Sequence, residues 1–296
     1  MKESPLKVHS ALIVVNVIYA ASYTISKELM PYYIGPSGFI LLRILGALLL
    51  LGLYQLIFIR EKINSIKDML HIALCAVFGV ALNMLMFFEG LSRTSPIDAS
   101  LIMVTTPILV VILGFIVKEE KFNWTKVFGI LLGTGSASML ILSKGNIANG
   151  STLLGDIFIF INAASYAIFL VIVRPLMKKY HPITIMTWTF FFGSFFVAPF
   201  GYRELSQAHW MELNLSLWAA VGFTLLCTTF IAYILNAYAL KHVASSVVGS
   251  YVYLQPVLGI FIAVSTGKYI LHLQQLGFAL LIFAGVYLVS KTEKIS

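Results

Sequence analysis

IDASLIMVTTPILVVILGFIV, residues 97–117, is an apolar run with a proline, Pro107, near its middle. About 20 such residues suffice to cross a bilayer as a helix. ASSVVGSYVYLQPVLGIFIAVS, residues 244–265, repeats the arrangement around Pro256. The two prolines stand 149 residues apart, close to half of the 296-residue chain. At the same offset Leu91 matches Leu240 and Ser100 matches Gly249. Gly129 and Gly277 are 148 apart, Pro36 and Pro182 are 146 apart, and the string Ala20-Ala-Ser-Tyr23 returns as Ala163-Ala-Ser-Tyr166, 143 residues on. One matched proline pair would be weak evidence. An ordered series across five segments marks an internal repeat, and the drift in offset needs only small loop insertions.

Working outward from these runs, ten apolar segments are predicted: 8–26, 38–59, 70–91, 97–117, 125–142, 154–173, 183–200, 215–239, 244–265 and 271–290. The chain is 59% hydrophobic and 11% charged, with a mean hydropathy of +0.93. Soluble domains carry about 25% charged residues, so the solvent here is lipid. The formal charge of +8 does not mark a nucleic-acid binder, because Lys and Arg sit in short clusters between apolar runs. Alternate loops hold 14 against 5 of them, and Arg43 lies inside a segment. That bias predicts both termini in the cytoplasm. Cys75 and Cys227 fall inside apolar runs and read as small hydrophobes. The first segment also resembles a secretory signal with Ala20-Ala21-Ser22 as its cleavage site. Because the same string recurs deep in the chain, a retained helix is the preferred reading.

Five spans is an odd number, so the second copy enters the membrane from the opposite side. The expected architecture is an all-α integral membrane protein of ten transmembrane helices. Residues 1–147 and 148–296 form two inverted five-helix repeats around a site near the bilayer midplane.

The sequence resembles EamA-type transporters of the drug/metabolite transporter superfamily. The resemblance is carried by Phe39-Ile-Leu-Leu-Arg43, Glu89-Gly-Leu-Ser-Arg-Thr-Ser-Pro96, Ala99 to Pro107, Glu119-Glu120, Gly129 to Leu142, Ala239 to Pro256 and Gly277 to Val286. It covers nearly the whole chain and is specific for fold and weak for substrate. It implies efflux of small metabolites, such as amino acids or related amphiphiles, across the cytoplasmic (inner) membrane. The family acid after the fourth span is matched by Glu120. The corresponding place after the ninth span holds Lys268, which puts a symmetric role for that acid in doubt.

Candidate pathway residues follow from polarity inside apolar segments. Pro107 and Pro256 lack an N–H and conflict with the carbonyls of Met103 and Val252; they read either as broken-helix sites or as packing kinks. Asn16, Tyr19 and Tyr23 share a helix face, with Asn162 and Tyr166 as the counterpart. Thr229, Tyr233 and Asn236 share another, and Ser246, Gly249, Tyr253 and Pro256 a further one. Singly, such residues are more often interhelical hydrogen-bond partners; as a set they describe a cavity lining. Glu89 is the acid well inside a span. It is a proton-coupling or substrate-ammonium site, or a structural partner of Arg93 at i, i+4 or of Arg43. Arg43 either snorkels outward or attracts a substrate anion. The Gly129/Gly133 pair suits close packing within one chain or a homodimer face. Trp124, Trp210 and Trp218 sit near predicted ends, as interfacial aromatics do.

The sequence has no GxxxxGK[ST] run, so ATP hydrolysis is not indicated. It has no zinc-type Cys/His spacing, and no cofactor, metal or nucleic acid is called for. The expected partners are a small-molecule substrate and the lipid bilayer, with alternating access as the mechanism along spans 1, 3, 4, 6, 8 and 9. An importer of a sugar or nucleotide-type solute, an intramembrane enzyme and a non-transporting scaffold are the alternatives.

Overall fold

The computed structural model describes residues 5–94, 99, 102–118, 123–142, 153–255, 257–258 and 273–291. Among these, the regular elements are all helical. They are α1 (Pro5–Leu29), α2 (Pro36–Ile59), α3 (Ile66–Arg93), α4 (Thr106–Ile116), α5 (Trp124–Leu142), α6 (Leu153–Lys179), α7 (Pro182–Ser206), α8 (Leu215–His242), α9 (Ser245–Ser250, continued by the 3-10 turn Tyr251–Tyr253) and α10 (Leu273–Lys291). Each overlaps one predicted segment. Helices α2, α3, α6, α7 and α8 are long and apolar enough to cross a membrane, and shorter apolar helices cover Leu6–Ser22, Thr106–Ile116 and Leu276–Val289.

The helix starts follow local chemistry. Pro36 and Pro182 occupy the first turn of α2 and α7, where a missing N–H costs nothing. The Ser65 hydroxyl accepts from Asp68 N at 3.3 Å to open α3, and the Asn214 side chain accepts from Leu217 N at 3.0 Å to open α8. These caps satisfy N–H groups that a helix leaves unpaired. Three of the long helices are not regular throughout: α2 ends in a π-wound stretch at Gln55–Ile59, and two others carry one in mid-helix. Residues Val77–Leu82 of α3 and Thr224–Ile231 of α8 are wound as π-helix. At the 149-residue offset of Leu91 and Leu240, the two stretches end at equivalent positions.

Glycines set two of the closest crossings. A Cβ on Gly38 would lie 2.7 Å from Leu205 N, and one on Gly201 would lie 2.5 Å from Ser37 O, so α2 and α7 touch backbone to backbone. In the same way a Cβ on Gly129 would meet Gly285 O at 2.9 Å, and one on Gly285 would meet Gly129 O at 2.7 Å. The small-residue motif of α5 is therefore spent on α10 of the same chain. Between helices in lipid, van der Waals contact of this kind replaces the hydrophobic drive. Outside this core, Leu49, Leu56, Phe58, Leu131, Phe195 and Leu280 are exposed. Apolar surface this extensive suits lipid, not water.

The pairing of helices has a regularity of its own. Helix α2 packs on α7, α4 on α9 and α5 on α10; α3 packs on α6, and α1 on α8. The contacts α3–α7 and α2–α8, and α4–α6 and α1–α9, are also exchanged pairs. Moving every helix five places along the chain maps this set onto itself. The first and second five-helix sets thus pack across one another, and α3–α6 and α1–α8 form two long antiparallel beams. Asp68 accepts from both Lys179 Nζ and the Tyr180 hydroxyl at one end of the first beam. Thr94 donates to Asp156 at 2.5 Å at the other end.

Candidate substrate cavity

Between the beams lies a cavity of about 110 Å³. In this conformation it suits a small solute. Its walls come from α1, α2, α3, α6, α8 and α9, with Met103 ahead of α4. The apolar part is Met84, Phe87, Phe88, Leu91, Val248 and Val252. The polar part brings together residues that are far apart in sequence: Asn16 and Tyr19, Arg43, Asn162 and Tyr166, and Tyr233 and Asn236.

The π-wound stretches explain much of this placement. A π turn leaves its carbonyls out of the ordinary ladder, and other side chains can take them up. Ser165 Oγ donates to Phe78 O at 2.6 Å, and Asn162 Nδ2 donates to Asn83 O at 2.6 Å. Asn162 and Ser165 of α6 therefore clasp the distorted part of α3. In α8, the hydroxyls of Thr228 and Thr229 donate to Thr224 O at 2.5 and 2.8 Å. The Thr229 oxygen accepts in turn from Arg43 Nε at 3.2 Å. The second π stretch thus holds the arginine of α2 at the cavity wall, with the Phe88 ring 5.6 Å from its guanidinium carbon.

Across the cavity the Asn236 amide donates to the Tyr19 hydroxyl at 3.5 Å and to the Tyr166 hydroxyl at 3.4 Å. Tyr19 belongs to the same beam as Asn236, and Tyr166 to the other, so this amide links the beams. Asn16 is committed locally: its amide donates to Leu12 O at 2.8 Å and its oxygen accepts from Gln255 Nε2 at 3.1 Å.

Other expected site residues lie elsewhere. Glu89 is beside the cavity but outside its lining; it pairs with Arg93 and accepts from Ser37 Oγ at 3.3 Å. One residue along a helix turns the side chain by about 100°, which separates Glu89 from its neighbour Phe88. Arg43 does not pair with Glu89. Tyr253 is fully buried away from the cavity, with its hydroxyl 2.6 Å from Thr134 Oγ1. The stripe Ser246–Gly249–Tyr253 packs on α4 and α5, with Gly249 against Val110 and Tyr253 against Gly133, and the opposite stripe Val248, Val252 and Gln255 faces the cavity. Pro107 is buried in the first turn of α4, with the turn at Val104–Thr105 before it. Ile102 and Met103 ahead of that turn are helical, so the helical path is interrupted just before Pro107. Pro256, the side chain of Tyr23, and Glu119, Glu120 and Lys268 lie outside the described residues.

Three lining residues carry no signal in the apolar pattern. Ser22 and Ser26 extend the α1 wall, and Asn83 follows the π stretch of α3. Asn83, Phe87 and Leu91 follow one another at i, i+4 and i+8 on one face of the regular part of α3. Gln255, next to Pro256, was visible as a polar residue in an apolar run.

The model of the EamA-like transporter family matches residues 6–142 and again 153–291. The chain is 24% identical to the uncharacterized transporter YyaM of Bacillus subtilis, over 98% of this chain and 95% of that one. It is 28% identical to an uncharacterized transporter of Archaeoglobus fulgidus, over 84% and 86%. A WAT1-related protein of Arabidopsis thaliana is 23% identical over 96% and 85%. A solved chain described only as the crystal structure of a protein superposes with a TM-score of 0.76 at 15% identity, covering 98% of this chain and 99% of that one, which speaks to the fold alone.

Proposed function

The chain belongs to the EamA-like transporter family, a multi-pass membrane protein, and on that premise we propose that it exports a small organic solute across the cytoplasmic membrane by alternating access. The solute class is small metabolites such as amino acids or related amphiphiles. Helices α1–α5 and α6–α10 are two inverted repeats, ten spans in all, with both termini in the cytoplasm. The helix pairing that survives a five-place shift supports the repeat, and the loop charge bias supports the orientation.

One observation carries the reading: polar side chains from both halves converge on one partly open cavity in an otherwise apolar bundle. Polar groups in a lipid-embedded interior are costly unless they serve a pathway or a hydrogen-bonded joint. The family points to transport and not to catalysis.

The test compares solutes in the medium of cells producing the protein with those of cells producing Asn236→Ala, at equal membrane levels. Accumulation outside should depend on the intact protein and fall at least about tenfold in the variant, the loss expected when about 1.4 kcal/mol of coupling between cavity walls is removed. Equal media from the two strains and from a strain lacking the protein would reject export.

A further inference from the structure

The hydrogen-bonding inventory of the cavity is one-sided. Arg43 is 9% exposed and is the one charged residue in the lining. Among the described residues it forms no ion pair, and Thr229 takes its Nε alone; the other guanidinium N–H groups have no described acceptor. Tyr19 and Tyr166 use their oxygens to accept from Asn236, which leaves both O–H groups as donors. The Tyr233 hydroxyl has no described partner, and its ring packs edge-on against Phe190 at 4.9 Å. Against these donors stand fewer acceptors: Asn162 Oδ1 is buried without a hydrogen bond, and the side-chain oxygens of Asn236 and Asn83 have no described donor. The assignment of Asn162 Oδ1 as oxygen follows from its amide partner, because Asn83 O can only accept.

A buried cation without a counter-ion is expensive, and buried donors without acceptors add to the cost. A single solute can remove both costs if it brings a negative charge with two acceptor oxygens. We infer that the cavity selects small monocarboxylates with an apolar body, the carboxylate docking on the Arg43 guanidinium between the tyrosine hydroxyls and the apolar body resting on Phe87, Leu91 and Val248. This deepens the transporter reading and rests on it. A planar guanidinium accepts a carboxylate through two parallel hydrogen bonds. One charge balances one charge, so a phosphate dianion would leave an excess that no second cation in the lining offsets. An ammonium solute would meet Arg43 as a like charge, and no carboxylate in the lining would balance it. Glu89, the nearest acid on α3, is held by Arg93 and Ser37 outside the lining.

The experiment uses purified full-length protein in lipid nanodiscs and measures binding of propionate, isovalerate and phenylacetate, each beside its neutral amide and its amine of the same skeleton. Methylphosphonate is the anion control. At least one carboxylate should bind, with its amide and amine weaker by about tenfold or more, and with methylphosphonate weaker than the carboxylate. Arg43→Gln should abolish that preference. Thr229→Val, which keeps the charge and removes its tether, should weaken binding without changing the order of the series. The wild-type series decides the matter even where Arg43→Gln fails to fold. Binding of no carboxylate, equal binding of amide and acid, a preference for the amine or the phosphonate, or an unchanged preference in folded Arg43→Gln each overturns the assignment. Flux in proteoliposomes separates the two claims. Selective carboxylate binding without flux counts against the transporter reading alone. Flux of amines or neutral solutes, without carboxylate binding, counts against the carboxylate assignment alone.

Discussion

At the scale of single residues, the end of the bundle that carries Asp68 holds a titratable helix cap. His181 precedes α7, and its Nδ1 accepts from Ile183 N at 3.3 Å, so the cap needs that nitrogen unprotonated. Its backbone N–H donates to Glu61 Oε2 at 2.8 Å. Burial lowers the imidazole from its ordinary value; nearby Lys241 lowers it further, and Glu61 opposes both. The folded protein therefore binds fewer protons at this site than the unfolded chain. Its stability is full above the unfolded value of about 6.5 and falls as acid carries the pH down through it toward the lowered folded value. His181→Asn keeps a capping oxygen without a titration. Thermal stability in detergent should drop between about pH 7.5 and pH 5.5 for the native protein and drop less for the variant; equal drops would remove His181 from the account. The same scale shows what single positions in the sequence reveal. Asn16, Tyr19, Tyr166 and Asn236 were conspicuous as polar residues in lipid-like runs, and the fold puts them on one cavity. Glu89 and Tyr253 were equally conspicuous. A polar side chain in an apolar run must find a partner, but the run does not say whether that partner is a neighbour on its own helix, another helix or a solute.

At the scale of elements, helix positions were readable because ten apolar runs separated by charged loops have few alternative readings, and α2, α3 and α7 begin within a few residues of the expected places. Winding was not readable. No composition cue marks Val77–Leu82 or Thr224–Ile231 as π-helix, yet those stretches rotate everything after them and decide which residues of α3 and α8 face the cavity. The crossings are a different matter, because glycine reports close approach. A methyl added at Gly38 meets backbone of α7, which has no flexible end to move aside. Gly38→Ala should therefore destabilise the protein by about 1–3 kcal/mol, the usual cost of overpacking. A melting temperature within a degree of the native value would mean that α2 and α7 can separate without loss. Gly135 has open space around its missing Cβ, so Gly135→Ala is the matching control.

At the scale of the whole molecule, the beam formed by α3 and α6 is held at both ends, by Asp68 with Lys179 and Tyr180 and by Thr94 with Asp156. On the proposed mechanism such a beam would move as one body, with the Asn236 amide as the joint to the other beam. In a background with Cys75→Ala and Cys227→Ala, a disulfide between Thr94→Cys and Asp156→Cys should raise thermal stability, by about 2–4 kcal/mol for an unstrained bridge, and leave solute flux within about twofold. Flux that stops on oxidation and returns on reduction would place the working motion inside the beam. The proline and Ala-Ala-Ser-Tyr offsets point to a repeat, because duplicated segments keep their turn-forming and small residues. How the halves interlock was not legible, since pairing across a bundle depends on the shapes of surfaces that no linear pattern records.

An object that is unchanged when its halves trade places has two equivalent ways of being lopsided. On the proposed inverted repeat, if the first five helices take one internal shape and the second five another, the exchanged arrangement would make the same contacts and open to the opposite side. The energy separating those two forms then comes from the places where the halves differ in sequence. Arg43 is one of them: at the Pro36-to-Pro182 offset its counterpart is Thr189, fully buried and bonded to its own helix at Ile185 O. Matched substitutions in the two halves should accordingly tilt the balance in opposite directions, and the doubly substituted protein should return toward the native poise.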